Sequence, residues 1–242
     1  GEGTRVLDPG SAYGYTTRLA LEKGATVVAV DMSALHIATL VNATPPDQRH
    51  RLSVSISEFP REFTPIADGS FDVVVAGLLI HYLPGDHVKN LFQSAYRWLA
   101  SRGSFFVMAS TAELPNFKAI RTELSQRIEH AKLSIVGIEL TPDAMVFPTD
   151  LSDDTRLRIS GQLIHPAEVH LTRFNLRCAG FRVGATRQDF GTFSTAKSDG
   201  EYIWVSVLYD GIGEGCRYTP YRSGISFAKQ GDDYFYIRAV KE

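Results

Sequence analysis

Residues 6–31 constrain the fold of this chain more than any other segment of the sequence. They read VLDPGSAYGYTTRLALEKGATVVAVD, with a short apolar run that ends at Asp8 and a second apolar run that ends at Asp31. The turn after Asp8 contains Gly10 and Gly14, which allow a tight turn and the close approach of a ligand to the backbone. The amphipathic run between the two apolar runs is typical of a helix. The segment therefore predicts a strand–helix–strand unit with two parallel strands.

The two acidic residues of this unit predict a ligand at the carboxyl ends of its strands. The N-terminus of the helix offers unpaired N–H groups and a positive dipole end to a carboxylate or a phosphate. Asp31 follows Gly14 by 17 residues, which suits a carboxylate that binds the two hydroxyls of a ribose. The pattern therefore indicates a nucleotide-like ligand.

Strand and helix signals continue to alternate through residue 110. We expect Ser33 to cap the second helix and Asp86 to cap the helix before the fifth strand. After residue 110 the alternation breaks, although a helix that ends near Cys178 is still indicated. Further strands are predicted at Leu52–Ile56 and at residues 71–79, 103–109 and 181–186.

Charge and composition exclude several classes of protein. Lys and Arg number 25 against 27 Asp and Glu, and both signs are spread along the chain, so nothing favours a nucleic-acid backbone as partner. The longest apolar run, residues 73–80, is too short to span a bilayer. Two cysteines cannot form a disulfide framework and no secretory signal is seen, so we expect a cytoplasmic location.

The glycine turn separates two kinds of nucleotide-binding protein. A dinucleotide fingerprint requires Gly-x-Gly-x-x-Gly, but Ala12 stands at the middle glycine position. Residues 8–14, DPGSAYG, instead resemble motif I of the class I S-adenosylmethionine-dependent methyltransferases, Asp-x-Gly-x-Gly-x-Gly, from which Pro9 and Ala12 depart. Other segments resemble further elements of that family in the same order, namely residues 28–31, 56–59, 71–84, 99–103 and 179–181.

The resemblance implies a doubly wound, Rossmann-like α/β fold with a seven-stranded mixed sheet whose last strand is antiparallel. It divides the chain into a cofactor-binding half, an insertion that caps the acceptor cleft, closing helix and strands, and a C-terminal hairpin. These segments are residues 1–110, 111–164, 165–210 and 211–242, respectively.

Two segments compete for the position of the closing strand, because residues 201–209 and Tyr234–Val240 both alternate as that strand does. The shorter connection and the apolar character of both faces favour residues 201–209. Residues 225–240 would then form an added hairpin that covers the acceptor cleft or mediates a homodimer.

The resemblance also implies S-adenosylmethionine as cofactor and transfer of its methyl group to a small molecule. It assigns the methionine part, the ribose and adenine, and the region beneath the sulfonium to three groups of residues. These are Asp8, Gly10, Ser11 and Gly14; Asp31, Met32, Glu58 and Phe59; and Ala76, Gly77 and Leu78.

For the acceptor side, His81 is the leading candidate for a general base, because its ordinary pKa lies near working pH. The alternative for His81 is a hydrogen-bonded structural role. Tyr82 and His165 are expected to contact the acceptor. Seven scattered histidines without an H-E-x-x-H or C-x-x-C arrangement indicate no metal site.

Two other functions remain open from the sequence. A nicotinamide-dependent oxidoreductase would use the same strand–helix–strand geometry but needs the full glycine triplet. A non-catalytic S-adenosylmethionine-binding protein would explain Pro9 and Ala12 as signs of a decayed site. A small acceptor is favoured within the methyltransferase interpretation, because the Asn/Asp-Pro-Pro-Tyr/Phe signature is absent after the predicted fourth strand.

Overall fold

The computed structural model describes residues 1–58, 66–110, 169–183 and 234–242, together with Thr122 and Ala167. Within these residues the chain forms one seven-stranded sheet with helices packed on it. The elements are β1 (Arg5–Pro9), α1 (Tyr15–Glu22), β2 (Thr26–Asp31), α2 (Ala34–Ala43), β3 (Leu52–Ile56), β4 (Phe71–Gly77), α3 (Gly85–Trp98), β5 (Leu99–Ser110), α4 (Val169–Cys178), β6 (Arg182–Val183) and β7 (Tyr234–Val240).

The strands lie in the order β3-β2-β1-β4-β5-β7-β6. Strands β1 to β5 pair in parallel, whereas β7 runs antiparallel to both β5 and β6. The predicted doubly wound α/β fold with a mixed seven-stranded sheet is therefore confirmed. The order of the parallel strands reverses direction between β1 and β4, where open α/β sheets bind their ligands.

The core lies on both faces of the sheet, as continuous apolar strands require. Successive residues of β1 serve opposite faces: Val6 packs in one cluster with Leu21 of α1, and Leu7 packs in the other with residues of α3. Phe92 of α3 is fully buried against Phe105 of β5, with ring centroids 5.8 Å apart. The central strands are thereby fixed, and their carboxyl ends share one edge of the sheet.

The prediction that residues 201–209 form the closing strand is wrong. Tyr234–Val240 occupies the position between β5 and β6 as β7, and all seven of its residues pair with β5, from Tyr234↔Ser110 to Val240↔Ser104. Ile237 and Ala239 are fully buried there. Residues 201–209 lie outside the described part of the chain. Because β7 lies between β5 and β6, Tyr234–Val240 is part of the sheet and not of an added extension. The homodimer stays a prediction.

Helix and strand ends differ from the sequence predictions at two places near the site. Pro84, not Asp86, occupies the N-cap of α3, and Asp86 lies in the first turn, where its charge still suits the helix dipole. Strand β4 ends at Gly77 rather than at residue 79, because Leu78 adopts a left-handed conformation with φ 55°. The predicted Ser33 cap is confirmed, since its Oγ accepts from the His36 amide at 3.3 Å.

Candidate active site

The predicted site residues converge where β1, β2 and β4 end. Asp8 lies next to last in β1, Asp31 ends β2 and Gly77 ends β4. Because β1 pairs with both β2 and β4, the loops that follow these three strands are neighbours. The sheet thus brings Asp8 and Asp31, which are 23 residues apart in the sequence, close to the end of β4.

The turn after β1 is tied to β2 by its own amides. The amides of Gly10 and Ser11 both donate to the Val30 carbonyl, at 2.8 and 3.0 Å, and the Gly14 amide donates to the Ser11 carbonyl at 2.8 Å. These N–H groups therefore stabilise the loop itself. Recognition of a ligand by this loop is left to other groups, chiefly to side chains.

Both glycines of the turn are required by local packing as well as by their positive φ of 73° and 76°. A Cβ on Gly10 would come within 2.8 Å of Leu79 Cδ1, and a Cβ on Gly14 would overlap the side chain of Leu40. Gly10 thus lets the loop approach the residues after β4, and Gly14 lets α1 begin against α2. This requirement adds to the ligand approach expected from the sequence.

Ala12 keeps the left-handed conformation of the glycine it replaces, with φ 47°. Such a conformation costs an alanine about 1–2 kcal/mol relative to a right-handed one. The Ala12 side chain is exposed, and its amide donates to Asp31 Oδ2 at 2.9 Å. The loop therefore follows the path that a glycine would allow, although Ala12 stands at this position.

Asp8 is a buried carboxyl whose protonation is poised near neutral pH. It is 3% exposed, and the Thr17 hydroxyl donates to its Oδ2 at 2.6 Å. The pKa of Asp8 is raised to about 7: burial is the largest cause, the Thr17 hydrogen bond opposes the rise, and the negative charge of Asp31 adds to it. A cation bound beside Asp8 would favour its carboxylate form.

Asp31 is buried and held by three protein groups. Its oxygens accept from the amides of Ala12 and Ser33, each at 2.9 Å, and His36 Nδ1 lies 3.0 Å from Oδ1. The His36 ring in turn packs on Tyr13 of the glycine turn, with ring centroids 4.5 Å apart. The carboxylate that the sequence assigned to ribose is therefore rigidly oriented.

Two features of the glycine turn are suited to the methionine end of a cofactor. Ser11 is 7% exposed, and its Oγ has no hydrogen-bond partner among the described residues, a state that a bound polar group would relieve. Helix α1 begins at Gly14 with no side-chain cap and no acidic residue in its first turn. Its N-terminal amides can thus receive a carboxylate.

The end of β4 provides open space beside the acids. A Cβ built on Gly77 would meet no atom of the described residues within 4 Å. Leu78 turns the chain sharply, and its amide donates to the Met108 carbonyl at 2.9 Å. Ala76 is fully buried in the core, so Gly77 and Leu78 form the surface at this strand end.

Met32 and Glu58, which were predicted to contact the nucleoside, are both exposed. Met32 is 70% exposed directly after Asp31, and Glu58 is exposed two residues beyond β3. Both stand at the same sheet edge as Asp31. Phe59 and His165 lie outside the described residues.

His81 and Tyr82 follow β4 in a short 3-10 turn, Ile80–Tyr82. Their rings are in contact, with centroids 4.4 Å apart, but His81 is 4% exposed and Tyr82 is 47% exposed. Partial burial raises the pKa of the Tyr82 hydroxyl. Tyr82 therefore presents most of the surface of this pair.

Sequence reasoning missed Thr17, Tyr13 and His36. The signal for His36 was its position, three residues after the N-cap Ser33, where a side chain can reach back past the start of a helix. Within the described ranges, no three His, Cys, Asp or Glu side chains are grouped to hold a metal ion. Across the same residues, no helix has the length and apolar character needed to cross a membrane.

Comparisons with known proteins agree with this geometry. Residues 7–107 match the sequence model of a methyltransferase domain family. A comparison with curated proteins returned no match.

Among solved structures, the chain resembles an S-adenosylmethionine-dependent methyltransferase from Mesorhizobium loti, with 18% identity, 99% of this chain and 92% of that chain covered, and a TM-score of 0.58. A SAM-dependent methyltransferase from Methanosarcina mazei is 15% identical, with 77% and 84% covered and a TM-score of 0.53. Phosphoethanolamine N-methyltransferase 2 from Haemonchus contortus is 16% identical, with 99% of this chain but only 49% of that chain covered and a TM-score of 0.56. At these identities the likeness establishes the fold.

The sheet order and the acid-and-glycine edge define a class I, Rossmann-like methyltransferase fold. Residues 7–107, which include the glycine turn, Asp31 and β4, match the methyltransferase domain family. This match supports the predicted family and enzyme class.

Proposed function

We propose that this enzyme methylates a small-molecule acceptor at an oxygen or nitrogen atom. The observation that carries the proposal is the open space over Gly77 beside the buried acids Asp8 and Asp31. The balanced charge of the chain favours a small molecule over a nucleic acid. The Haemonchus contortus enzyme, in complex with phosphomonomethylethanolamine and S-adenosylhomocysteine, offers a precedent for such an acceptor on this fold.

We assign S-adenosylmethionine as the cofactor and place its methionine part at the glycine turn. Ser11 Oγ, which has no partner among the described residues, and the N-cap Gly14 of α1, which has no side-chain cap, suit its carboxylate, and Gly10 forms the adjoining wall of the turn. Asp8 faces the ammonium through water or backbone, and a cation there would shift Asp8 toward its charged form.

The nucleoside part is assigned to the ends of β2 and β3. Asp31 is assigned to the ribose, because its carboxylate has a lone-pair position left beyond its contacts with the described residues. Met32, 70% exposed, covers one face of the adenine. Glu58 and Phe59 are assigned to the adenine edge, Glu58 through its carboxylate and Phe59 through its amide.

When bound, the cofactor supplies a methyl group on a cationic sulfur, which an acceptor lone pair takes in a single in-line displacement. The contribution of the chain is to hold the acceptor about 3–3.5 Å from that methyl group and to exclude water. Ala76, Gly77 and Leu78 lie beneath the reacting atoms in this assignment. The absence of a side chain at Gly77 keeps the line of attack open.

His81 is assigned as the group that accepts the acceptor's proton, with Tyr82 and His165 as acceptor contacts. Tyr82 presents the exposed surface and His81 lies in ring contact behind it. A base shielded from bulk water keeps a proton-transfer role only if the acceptor reaches it through the cleft. Because His81 is 4% exposed, its role as a base depends on direct access of the acceptor to its ring.

The proposal is tested by incubating the enzyme with methyl-labelled S-adenosylmethionine and fractionated pools of small molecules. Labelled product that depends on the enzyme and disappears in Gly77→Val is the expected result. Tight cofactor binding with no labelled product from any pool, under conditions where an unrelated methyltransferase labels its own acceptor, would favour the non-catalytic alternative.

A further inference from the structure

The two oxygens of Asp31 are not equivalent. Oδ1 accepts from the Ser33 amide at 2.9 Å and lies 3.0 Å from His36 Nδ1, whereas Oδ2 accepts only from the Ala12 amide, at 2.9 Å, among the described residues. A carboxylate offers about two acceptor positions on each oxygen. Oδ1 is therefore filled, and Oδ2 keeps one position.

His36 is held so that it fills the second acceptor position of Oδ1. Because a carboxylate can only accept, Nδ1 must carry the hydrogen that joins the two side chains. The side chains of His36 and Asp31 are 31% and 10% exposed, so the bond is partly shielded from water. The ring of Tyr13 packs against the His36 ring, tilted by 59°, and restricts it from the side of the glycine turn.

We infer that His36 determines how the enzyme recognises ribose: it occupies one acceptor position of Asp31, so that the carboxylate accepts from one ribose hydroxyl rather than from both. This inference rests on the proposed role of Asp31 in the cofactor site. His36 acts through Asp31 and is a positioning residue, and nothing in the methyltransferase pattern of the sequence assigns it a role.

The consequence is a difference between the two hydroxyls of the ligand. The hydroxyl that donates to Oδ2 makes a hydrogen bond to a charged group, and its removal should weaken binding about tenfold or more. The other hydroxyl finds Oδ1 already filled, so its removal should change the dissociation constant by about threefold or less.

The experiment measures dissociation constants by calorimetry for S-adenosylhomocysteine and for its 2′-deoxy and 3′-deoxy analogues. The variants are His36→Phe, which removes the donor but keeps a ring against Tyr13, and His36→Asn, whose amide can donate from the place of Nδ1. Both substitutions keep the His36 backbone amide that bonds to Ser33 Oγ, so α2 remains capped. The control is His50→Phe, at an exposed position in the turn before β3.

We expect unequal penalties for the two deoxy analogues in the wild type and in His50→Phe. The penalties should become similar in His36→Phe, because Oδ1 is released, and unequal again in His36→Asn. Equal penalties in the wild type, or an unchanged inequality in His36→Phe that melts like the wild type, would overturn the inference. Failure of S-adenosylhomocysteine itself to bind the wild type would instead contradict the proposed cofactor site, and the inference with it.

Discussion

The buried carboxyl of Asp8 gives the sharpest quantitative prediction, for the variant Asp8→Asn. Burial raises the pKa of Asp8 from 3.8 to about 7. In the unfolded chain the group has its ordinary pKa, so between about pH 4 and pH 7 the folded protein binds more protons than the unfolded one. The free energy of unfolding contributed by Asp8 therefore falls as pH rises through this window and stays low above it.

The size of the effect follows from the shift of about three pKa units. At about 1.36 kcal/mol per unit, the charged form of Asp8 costs the fold about 4 kcal/mol above pH 7. Asparagine cannot ionise, and its Oδ1 can still accept from the Thr17 hydroxyl that now donates at 2.6 Å. Asp8→Asn should therefore gain up to about 4 kcal/mol relative to the wild type between pH 4 and pH 8.5.

The assay is urea unfolding of both proteins across that pH range, plotted as the difference in free energy of unfolding. Asp72→Asn serves as the control of opposite sign, because the hydrogen bonds from Arg5 lower the pKa of Asp72. The Asp72 carboxylate stabilises the fold above its unfolded pKa, and this contribution is lost as pH falls. Asp72→Asn should therefore be less stable than the wild type at high pH, and the difference should shrink at low pH. A flat difference curve for Asp8→Asn would refute the reasoning about burial.

Four further predictions address the site and the sheet. Asp31→Ala should weaken S-adenosylhomocysteine binding by about 1–3 kcal/mol by calorimetry and also lower stability, because the Ala12 and Ser33 amides lose their acceptor; an unchanged dissociation constant would reduce Asp31 to a cap. Gly77→Val should melt within a few degrees of the wild type, since a Cβ there meets no described atom within 4 Å, yet lose most turnover; full turnover would place the reaction elsewhere. His81→Ala should lower kcat by about 10²–10⁴ with nearly unchanged cofactor affinity if His81 is the base, whereas early melting with normal turnover at low temperature would assign it a structural role. Deletion of residues 234–242 should abolish cooperative unfolding by circular dichroism, because it removes β7 from between β5 and β6; a cooperatively folding truncation would contradict the sheet order.

The parallel half of the fold could be predicted because local signals and long-range packing agree there. Residues 6–31 carry apolar runs, turn glycines and strand-end acids at spacings that permit little besides a strand–helix–strand unit. The Ser33 cap has the same property, since it depends on a residue three positions away. Such features involve few residues and short separations.

The closing strand was mispredicted because connection length was given too much weight. Loop-closure entropy grows only with the logarithm of loop length. A connection as long as residues 184–233 therefore costs only about 1 kcal/mol more in closure entropy than one as long as residues 187–200. The burial of Ile237 alone contributes about 2–3 kcal/mol, and seven residues of β7 pair with β5. The free energy gained from pairing and burial in the sheet therefore outweighs the entropy cost of the longer connection.

Side-chain contacts within the site were the second feature that could not be predicted from the sequence. That His36 turns back to Asp31, and that Thr17 donates to Asp8, depends on rotamers set by packing. The residue types were visible in the sequence, but their contacts were not. The pKa of Asp8 near 7 likewise follows from a degree of burial that only the assembled sheet defines.

The two departures from the glycine motif bear on whether the site has decayed. Pro9 lacks an N–H, but it is the last residue of β1, and the next two amides, of Gly10 and Ser11, both reach the Val30 carbonyl. Ala12 accepts the strained left-handed conformation and still donates to Asp31. The strained alanine, the buried Asp8 carboxyl and a Ser11 hydroxyl with no partner among the described residues each cost stability, and a bound cofactor would offset that cost. We therefore expect the site to bind its cofactor, and calorimetry of the wild type with S-adenosylhomocysteine tests this expectation.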